Sequence, residues 1–322
     1  TMPFSQLGLS NTLLNAIQTR GYTQPTAIQQ DVIPVMLAGR DVLATAQTGS
    51  GKTAAYCLPL LERYLKQGHS QTRVVQTLIL VPTRELAVQV GDTLRSLSLG
   101  AAHPPKLAVL FGGISINPQM LHLRGGADIV VATPGRLLDL HSKNAIKLDH
   151  VSCLVLDEAD RMLALGFADE LKQVLALLAP QRQNCFFSAT FAPNVAELAQ
   201  ALLNDPARIN IPDTDESKPD ITQRAIMVEA TQRTQLLKHL FQTEKWSRVL
   251  VFVATKYAAD LLSTKLRRAH ISAEAFHGEQ TQGKRSQVIS DFKASRVKIL
   301  VATDVAARGI DIYQLPVVVN FD

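Results

Sequence analysis

Residues 46–53, with the sequence AQTGSGKT, combine glycines with a Lys-Thr pair in a pattern that suits phosphate binding. Glycines let successive backbone N–H groups turn toward phosphate oxygens, and a following helix N-terminus adds further donors. Lys52 would reach the outer phosphates, and the Thr53 hydroxyl would bind Mg²⁺. The alternative is a glycine-rich turn without a ligand, but the apolar run before the segment and the helical spacing after it favour a phosphate loop. Its predicted members are Gln47, Thr48, Gly49, Ser50, Gly51, Lys52 and Thr53, and Ala46 replaces the usual first glycine.

A group of acidic residues, Asp157-Glu158-Ala159-Asp160, directly follows the apolar run 153–156. A carboxylate at the tip of a strand neighbouring the phosphate loop is placed to hold Mg²⁺, directly or through water. We therefore predict Thr53 and Asp157 as metal ligands, and Glu158 as the group that takes a proton from an attacking water. The alternative is an acidic cap on the helix that begins near Asp160.

Short apolar, β-branched runs alternate with stretches of helical spacing along the chain, and these elements must position the chemistry. The predicted strands are 41–44, 77–81, 129–132, 153–156, 249–253, 298–302 and 317–319. Apolar strands that alternate with helices indicate α/β domains, each a parallel sheet with helices on both faces. Almost every run ends in polar residues, and ligands bind outside the carboxyl ends of such strands. Two such edges, joined by a linker, could face each other across a cleft.

Length and composition suggest two domains. The chain has 322 residues, a net charge of +5 and 46% hydrophobic residues, which excludes disorder. We predict an N-terminal domain over 1–210, an acidic linker over 211–220 and a C-terminal domain over 221–322. No run is long and apolar enough for a membrane span, and the three cysteines lack the spacing of a zinc site. Residues 221–322 hold 15 basic and nine acidic residues, which indicates either a polyanion partner or a solvated surface.

The motifs occur in an order that resembles the DEAD-box RNA helicases of superfamily 2, and the resemblance spans nearly the whole chain. Besides the phosphate loop and the Asp-Glu-Ala-Asp group, the matching segments are 21–29 (GYTQPTAIQ), 82–87 (PTRELA), 112–113 (GG), 133–136 (TPGR), 188–190 (SAT), 251–253 (VFV), 282–285 (QGKR) and 302–311 (ATDVAARGID). Residues 111–120 are similar to the bacterial RhlE-like branch. The resemblance implies two RecA-like domains and ATP with Mg²⁺ as ligands.

The resemblance also implies roles for individual residues in nucleotide binding and in coupling. Gln29 would read adenine and Phe4 would stack on it, although Gln29 as a helix-surface residue and Phe4 as a core residue remain open. Gly309 and Asp311 would contact the nucleotide from the second domain. Asp160, hydrogen-bonded toward Ser188 and Thr190, would couple hydrolysis to unwinding.

A further set of residues would contact RNA through its backbone, which carries little base information. In the first domain these are Pro82, Thr83, Arg84, Gly112, Gly113, Thr133, Gly135 and Arg136; in the second they are His277, Gln282, Arg285, Thr303 and Asp304. A lone histidine such as His277 is often a satisfied surface or core residue, so that alternative stays open.

The family's activity is the expected function: ATP-dependent local unwinding of short RNA duplexes or remodelling of RNA–protein complexes. The alternatives are an ATP-gated RNA clamp or assembly factor and a DNA-directed motor. We expect a cytoplasmic monomer without membrane association, with ribosome-assembly or RNA-decay proteins as partners. In the family an arginine-rich motif follows the segment that ends here at Asp322. We therefore expect the second domain to be truncated, and these residues alone to bind nucleotide but hydrolyse it poorly, because such arginines contribute roughly 10³–10⁵ in rate.

Overall fold

The computed structural model describes residues 2–68, 72–211, 221–307, 312 and 315–322. The chain divides into two compact units, unit 1 over Thr1–Pro219 and unit 2 over Asp220–Asp322. The boundary falls inside the predicted linker 211–220, of which only Ile211 is among the described residues.

Unit 1 is built around one parallel sheet with helices between its strands. Its elements are α1 (Asn11–Thr19), α2 (Ala27–Leu37), β1 (Val42–Thr45), α3 (Lys52–Gln67), β2 (Thr77–Leu80), α4 (Arg84–Leu97), β3 (Leu107–Leu110), α5 (Asn117–His122), β4 (Ile129–Ala132), α6 (Pro134–Ser142), β5 (Cys153–Leu156), α7 (Ala159–Ala164), α8 (Ala168–Ala176), β6 (Gln183–Ser188), α9 (Pro193–Leu202) and β7 (Ala207–Asn210). The seven strands lie in the order β3-β4-β2-β5-β6-β1-β7, and every pairing is parallel.

The sheet of unit 1 is covered on both faces, which explains its continuous apolar strands. Successive strand residues point to opposite faces, so Val155 joins the apolar cluster that includes α2, α3 and α4, whereas Leu154 and Leu156 join the cluster that includes α6, α8 and α9. All residues of β2, β4 and β5 are buried. Burial on both faces holds the carboxyl ends of the strands in fixed positions, and the motif residues follow those ends.

Unit 2 repeats this architecture on a smaller scale. Its elements are α10 (Arg233–Thr243), β8 (Val249–Val253), α11 (Lys256–Arg268), β9 (Ala273–Phe276), α12 (Gln282–Lys293), β10 (Ile299–Thr303), α13 (Asp304–Ala307) and β11 (Val317–Asn320). Four parallel strands lie in the order β11-β8-β10-β9. Apolar clusters cover both faces, one including Leu262 of α11 and the other including Phe292 of α12. The predicted fold class, two α/β domains with parallel sheets, is therefore confirmed.

The seven predicted strands are present with ends shifted by at most one residue, but four further strands, β3, β6, β7 and β9, were missed. Polar residues interrupt two of them, because β6 begins with Gln183 and Asn184 and β9 contains Glu274. The missed strand β6 also corrects one expectation. It lies between β1 and β5, so the strand that carries Asp157 does not neighbour the strand that precedes the phosphate loop.

Two further expectations concern membrane spans and cysteines. Among the described residues, no helix combines the length and the apolar character that crossing a bilayer requires. Cys57, Cys153 and Cys185 are free thiols buried in unit 1.

Candidate functional site

The predicted phosphate loop connects β1 to α3, as its sequence indicated. Gly49 and Gly51 adopt φ values of 83° and 91°, which only glycine takes without strain. Lys52 begins α3 and is 6% exposed, and its Nζ donates to the Ala46 carbonyl at 2.7 Å. The Ser50 hydroxyl donates to the Gln47 carbonyl at 2.8 Å. The loop is thus folded around its own lysine, whose other two N–H donors are available to an anion.

Gln29 is buried against this loop rather than on a helix surface. Its Oε1 accepts from the Thr26 backbone N–H at 3.0 Å, and its Nε2 donates to the Gly51 carbonyl at 3.2 Å. A Cβ at Gly51 would lie 2.7 Å from Gln29 Nε2 and 2.8 Å from Thr26 Oγ1, so α2 contacts the loop at a glycine-only distance. The amide keeps one N–H and one lone pair for a base, and its role as an adenine reader stays a prediction.

Phe4 occupies a different environment from the one that stacking requires. It lies in a short 3₁₀ turn, Phe4–Gln6, is 6% exposed and belongs to the apolar core of unit 1. This is the core position left open as the alternative. A stacking role would need a larger part of the ring to be accessible to a base.

Asp157 lies at the carboxyl end of β5 and is 2% exposed. Its Oδ2 accepts from the Tyr56 hydroxyl at 2.8 Å, and its Oδ1 accepts from the Glu158 backbone N–H at 2.9 Å. Burial raises the pKa of the Asp157 carboxyl and the negative charge of Glu158 adds to the effect, whereas the positive charge of Lys52 opposes it. Burial and the neighbouring Asp157 charge also raise the pKa of Tyr56 well above its ordinary value.

These surroundings fit a hard divalent cation. Oxygen ligands suit Mg²⁺, which usually binds one or two carboxylates together with substrate phosphates. A cation beside Asp157 would replace the hydration that burial removes from the carboxylate. Tyr56, which donates to Asp157, lies three residues after Thr53 on α3, so the two predicted ligands adjoin the same tyrosine.

Glu158 is held by a residue that the sequence analysis missed. It adopts a left-handed backbone conformation with φ 52°, and its Oε2 accepts from Arg161 Nη1 at 2.8 Å. Both side chains are mostly buried, with 13% and 17% exposed. The remaining nitrogens of Arg161, Nε and Nη2, are buried without a hydrogen-bond partner. The three-residue spacing on a helix was the available signal, whereas nothing in the sequence singled out Tyr56.

The hydrogen bonds predicted between Asp160 and residues 188–190 are present. Asp160 Oδ2 accepts from the Thr190 backbone N–H at 3.1 Å and from the Thr190 hydroxyl at 2.8 Å. The Asp160 N–H donates to the Ser188 hydroxyl at 3.3 Å. The Ser188 hydroxyl in turn donates to the Thr190 carbonyl at 2.7 Å. The Ala46 N–H donates to the Ser188 carbonyl at 3.1 Å. A continuous network therefore joins the acidic group, the end of β6 and the phosphate loop.

The residues predicted to bind RNA in unit 1 follow the carboxyl ends of β2, β3 and β4. A Cβ at Gly113 would lie 2.7 Å from an Arg84 nitrogen, so this guanidinium packs on the glycine backbone. Arg136 donates from Nη2 to the Ile114 carbonyl at 2.8 Å, and its Nη1 is buried without a partner. Thr83 caps α4 by accepting from the Leu86 N–H at 3.2 Å. Pro82 and Gly112 lie in the loops after β2 and β3, Thr133 precedes α6, and Gly135 lies in the first turn of α6.

The corresponding residues of unit 2 follow the carboxyl ends of β9 and β10. His277 is 6% exposed, with Nε2 3.1 Å from Asp260 Oδ1 and Nδ1 buried without a hydrogen bond. Arg285 is also 6% exposed, and its guanidinium lies 4.8 Å from the centre of the Phe276 ring. Gln282 begins α12, Thr303 ends β10 and Asp304 begins α13. Gly309 and Asp311 lie outside the described residues.

Unit 1 therefore carries two groups on one sheet edge. Strands β1, β5 and β6 present the phosphate loop, the acidic residues and the coupling network, while β2, β3 and β4 present the arginine and glycine turns. All unit 1 residues predicted for chemistry lie at this edge except Gln29, which contacts the phosphate loop from α2, and Phe4, which is packed in the apolar core.

Family models match both units. The DEAD/DEAH box helicase model covers residues 26–198, and the helicase conserved C-terminal domain model covers residues 232–322. The RNA helicase CrhR of Synechocystis is 40% identical over 325 residues, which are 100% of this chain and 64% of that protein. The DEAD-box ATP-dependent RNA helicase 28 of Arabidopsis thaliana is 41% identical over 99% of this chain and 40% of its own length. The chain thus spans less than two thirds of either relative.

Solved structures agree with these matches. The structure of S. cerevisiae Dbp5 bound to RNA and ADP BeF3 aligns with a TM-score of 0.83 and 30% identity, covering 100% of this chain and 81% of that one. A DEAD box protein of the hyperthermophile Methanococcus jannaschii aligns with a TM-score of 0.61 and 36% identity, covering 100% and 85%. From its motifs, its fold and these matches, the chain is a member of the DEAD/DEAH box helicase family.

Proposed function

We propose that the protein is an ATP-dependent RNA helicase that unwinds short duplexes or remodels RNA–protein complexes. The observation that carries the proposal is the edge of the unit 1 sheet. There a buried Asp157 with a raised pKa lies near Lys52 and Glu158, and an arginine group occupies the neighbouring strand ends. Phosphate chemistry and backbone binding are the two activities such an edge can combine.

The nucleotide would bind at the phosphate loop. Lys52 would exchange its bond with the Ala46 carbonyl for phosphate oxygens, a short movement because the ammonium already lies over the loop. When bound, Mg²⁺ neutralises phosphate charge, and Thr53 and Asp157 would hold it. Glu158, with Oε2 fixed by Arg161, would use its other oxygen to orient water and accept a proton.

RNA would bind to the arginine and glycine turns of unit 1 and to the matching turns of unit 2. The buried, unpartnered Nη1 of Arg136 is a donor without an acceptor, which a phosphate oxygen would satisfy. Contacts to the backbone alone predict binding with little sequence preference. Residues of both units are assigned to each ligand, so we propose that binding of one ligand strengthens binding of the other.

Several finer assignments belong to the same proposal. We assign the two units as the N-terminal and C-terminal RecA-like domains and place the protein in the cytoplasm as a monomer, with ribosome-assembly or RNA-decay proteins as partners. The relative named as the RNA helicase CrhR of Synechocystis supports a bacterial type of helicase, and an RhlE-like origin is compatible with it.

The second candidate function is an ATP-gated RNA clamp, for which hydrolysis would be unimportant. RNA-stimulated phosphate release, measured with protein in excess over ATP, separates the two functions. A helicase requires that Glu158→Gln strongly slow RNA-stimulated release, to a residual rate, while ATP binding is retained. Equal rates for the wild type and this variant would favour the clamp. Competition between RNA and DNA of matched sequence at a fixed salt concentration tests the DNA-directed alternative.

A further inference from the structure

The two edges of the unit 2 sheet differ strongly in charge. The amino edge, defined as residues 244–248, 265–272 and 291–298 before β8, β9 and β10, holds eight lysines and arginines and two acidic residues. The opposite edge carries the family motifs. Its described charged residues are Lys256, Lys284, Arg285, Asp260, Glu279, Asp304 and Asp322. The positive excess of unit 2 thus lies on the edge that the proposed function does not use.

Hydrogen bonds hold the three segments of the amino edge together. The Val249 N–H donates to the Lys298 carbonyl at 2.8 Å, and the Lys298 N–H donates to the Ser272 carbonyl at 3.1 Å. The Ser272 hydroxyl donates to the Arg296 carbonyl at 2.9 Å, and Arg248 reaches the Lys293 carbonyl at 3.5 Å. Adjacent strands lie about 4.8 Å apart, so these basic side chains form one surface.

Much of this positive charge is left unneutralised. Asp291 forms an ion pair with Arg296 at 2.7 Å, and Glu244 binds Arg224, outside the amino edge, at 3.0 Å. Within the described part of the chain, five basic side chains of this edge have no ion pair, namely Lys245, Lys265, Arg268, Lys293 and Lys298. Like charges held this close repel one another, and a bound polyanion would relieve the repulsion.

An aromatic recess opens on the same edge. A cavity of about 510 Å³ is lined by Phe241, Trp246, His270, Ile271 and Lys298, among others. Its size falls within the range of about 300–1,000 Å³ that is usual for small-ligand pockets. Basic residues that track a backbone, combined with an aromatic ring on which a base can stack, are the two features that single-stranded nucleic acid binding requires. An acidic protein would use the charge but would not need the recess.

We propose that the amino edge of unit 2 is a second RNA-binding surface, distinct from the motif edge. It would bind the phosphates of single-stranded RNA and hold one base against Trp246. The inference rests on the proposed function, since the ligand is the same RNA.

Trp246 is the only tryptophan of the chain, so its fluorescence reports directly on the recess. We expect a short oligouridylate to quench this emission as it binds, with total binding followed in parallel by the anisotropy of labelled RNA. The double variant Lys245→Glu with Arg268→Glu should remove the quenching and weaken RNA binding about tenfold. It should also lower the slope of log affinity against log salt by about 1.4, from two lost phosphate contacts.

The matched control is Lys147→Glu with Lys172→Glu, two exposed lysines of unit 1 that produce the same change in net charge. It should shift RNA affinity less than about twofold. The neutral pair Lys245→Gln with Arg268→Gln avoids negative charge at the C-terminus of α11 and should also reduce quenching. This pair keeps the test valid if the charge-reversed protein does not fold.

Five results would overturn the proposal, and the last would refute the proposed function as well. The first is that RNA quenches Trp246 as strongly in Lys245→Glu with Arg268→Glu as in the wild type. The second is that the control variant loses as much RNA affinity as the variant of the amino edge. Polyglutamate that quenches Trp246 as well as RNA does would indicate an acidic protein partner instead. RNA that stimulates phosphate release but leaves the emission of Trp246 unchanged would refute this inference alone. Absence of any RNA binding would refute the proposed function with it.

Discussion

At the scale of single residues, the buried carboxylate of Asp157 lowers the stability of the protein without ligands. Burial raises the pKa of Asp157, so its charged form is disfavoured in the folded state. The stabilising contribution of Asp157 is complete below the pKa of the unfolded chain, about 3.9. It is lost as the pH rises through the raised pKa of the folded state. At neutral pH Asp157 therefore lowers the free energy of unfolding, and a bound cation would offset this effect.

Replacement of this residue, Asp157→Asn, should raise the Tm at pH 7, because the amide carries no charge and Tyr56 can accept from its N–H. The gain should shrink as the pH falls toward about 4, where the wild-type carboxyl becomes protonated. Differential scanning calorimetry across this range, without nucleotide, measures it. Asp41→Asn is a suitable control, since both Asp41 oxygens accept backbone N–H bonds at 2.8 Å, and it should lower the Tm. A lower Tm for Asp157→Asn at every pH would contradict the account.

Arg161 is expected to act through Glu158 alone. The change Arg161→Gln should slow hydrolysis by about tenfold or more with little effect on ATP affinity, because the carboxylate loses its fixed orientation. In a Glu158→Gln background the same change should have no further effect, which single-turnover rates of the four proteins test. Arg161→Lys should recover part of the rate.

The exposed pair Arg95–Asp92 has the same i,i+3 spacing, at 2.6 Å. Arg95→Gln should therefore leave hydrolysis unchanged. If Arg161→Gln slows both backgrounds by the same factor, its role is structural and the positioning account is wrong.

At the scale of elements, the sequence predicted best where spacing is tied to chemistry. Residues 46–53 connect a strand to a helix and residues 157–160 follow a strand end, as their spacing indicated, and the Asp160 hydrogen bonds are present. The roles of these residues stay predictions. Strand β6 was missed because Gln183 and Asn184 begin it, although both are buried in the sheet and hydrogen-bonded there. Tyr56 and Arg161 were missed because their importance depends on partners that only the packed fold brings near.

From the hydrogen bonds at the end of β6 we also predict that ATP hydrolysis and RNA unwinding can be separated by mutation. The double variant Ser188→Ala with Thr190→Ala removes three hydroxyl hydrogen bonds of the network around Asp160 and leaves the phosphate loop intact. RNA-stimulated hydrolysis should stay within about threefold of the wild type, while strand separation should fall about tenfold, within the usual range of coupling energies. Phosphate release and displacement of a labelled strand measure the two activities.

A matched control for this experiment is Thr19→Ala with Ser142→Ala, whose hydroxyls bond only to carbonyls of their own helices. Neither activity should change in that protein. Equal loss of hydrolysis and unwinding in the variant of residues 188 and 190 would exclude a coupling role for the network.

At the scale of the whole molecule, composition and strand periodicity predicted two α/β units, and the charge count located an excess in residues 221–322. The sequence alone could not show that this excess lies on the amino edge of unit 2, since residues from three separate segments form that surface. Nor could it show that Phe4 is packed in a core, because an isolated aromatic residue fits both a stacking role and burial.

The central claim is that nucleotide binding and RNA binding are linked, and the RNA dissociation constant tests this linkage most directly. It should be measured at one salt concentration with and without a non-hydrolysable ATP analogue and Mg²⁺. We expect the analogue to tighten RNA binding by about tenfold or more, and Lys52→Ala to abolish the change while RNA binding without nucleotide persists. An RNA dissociation constant that is the same with and without the analogue would contradict the central claim.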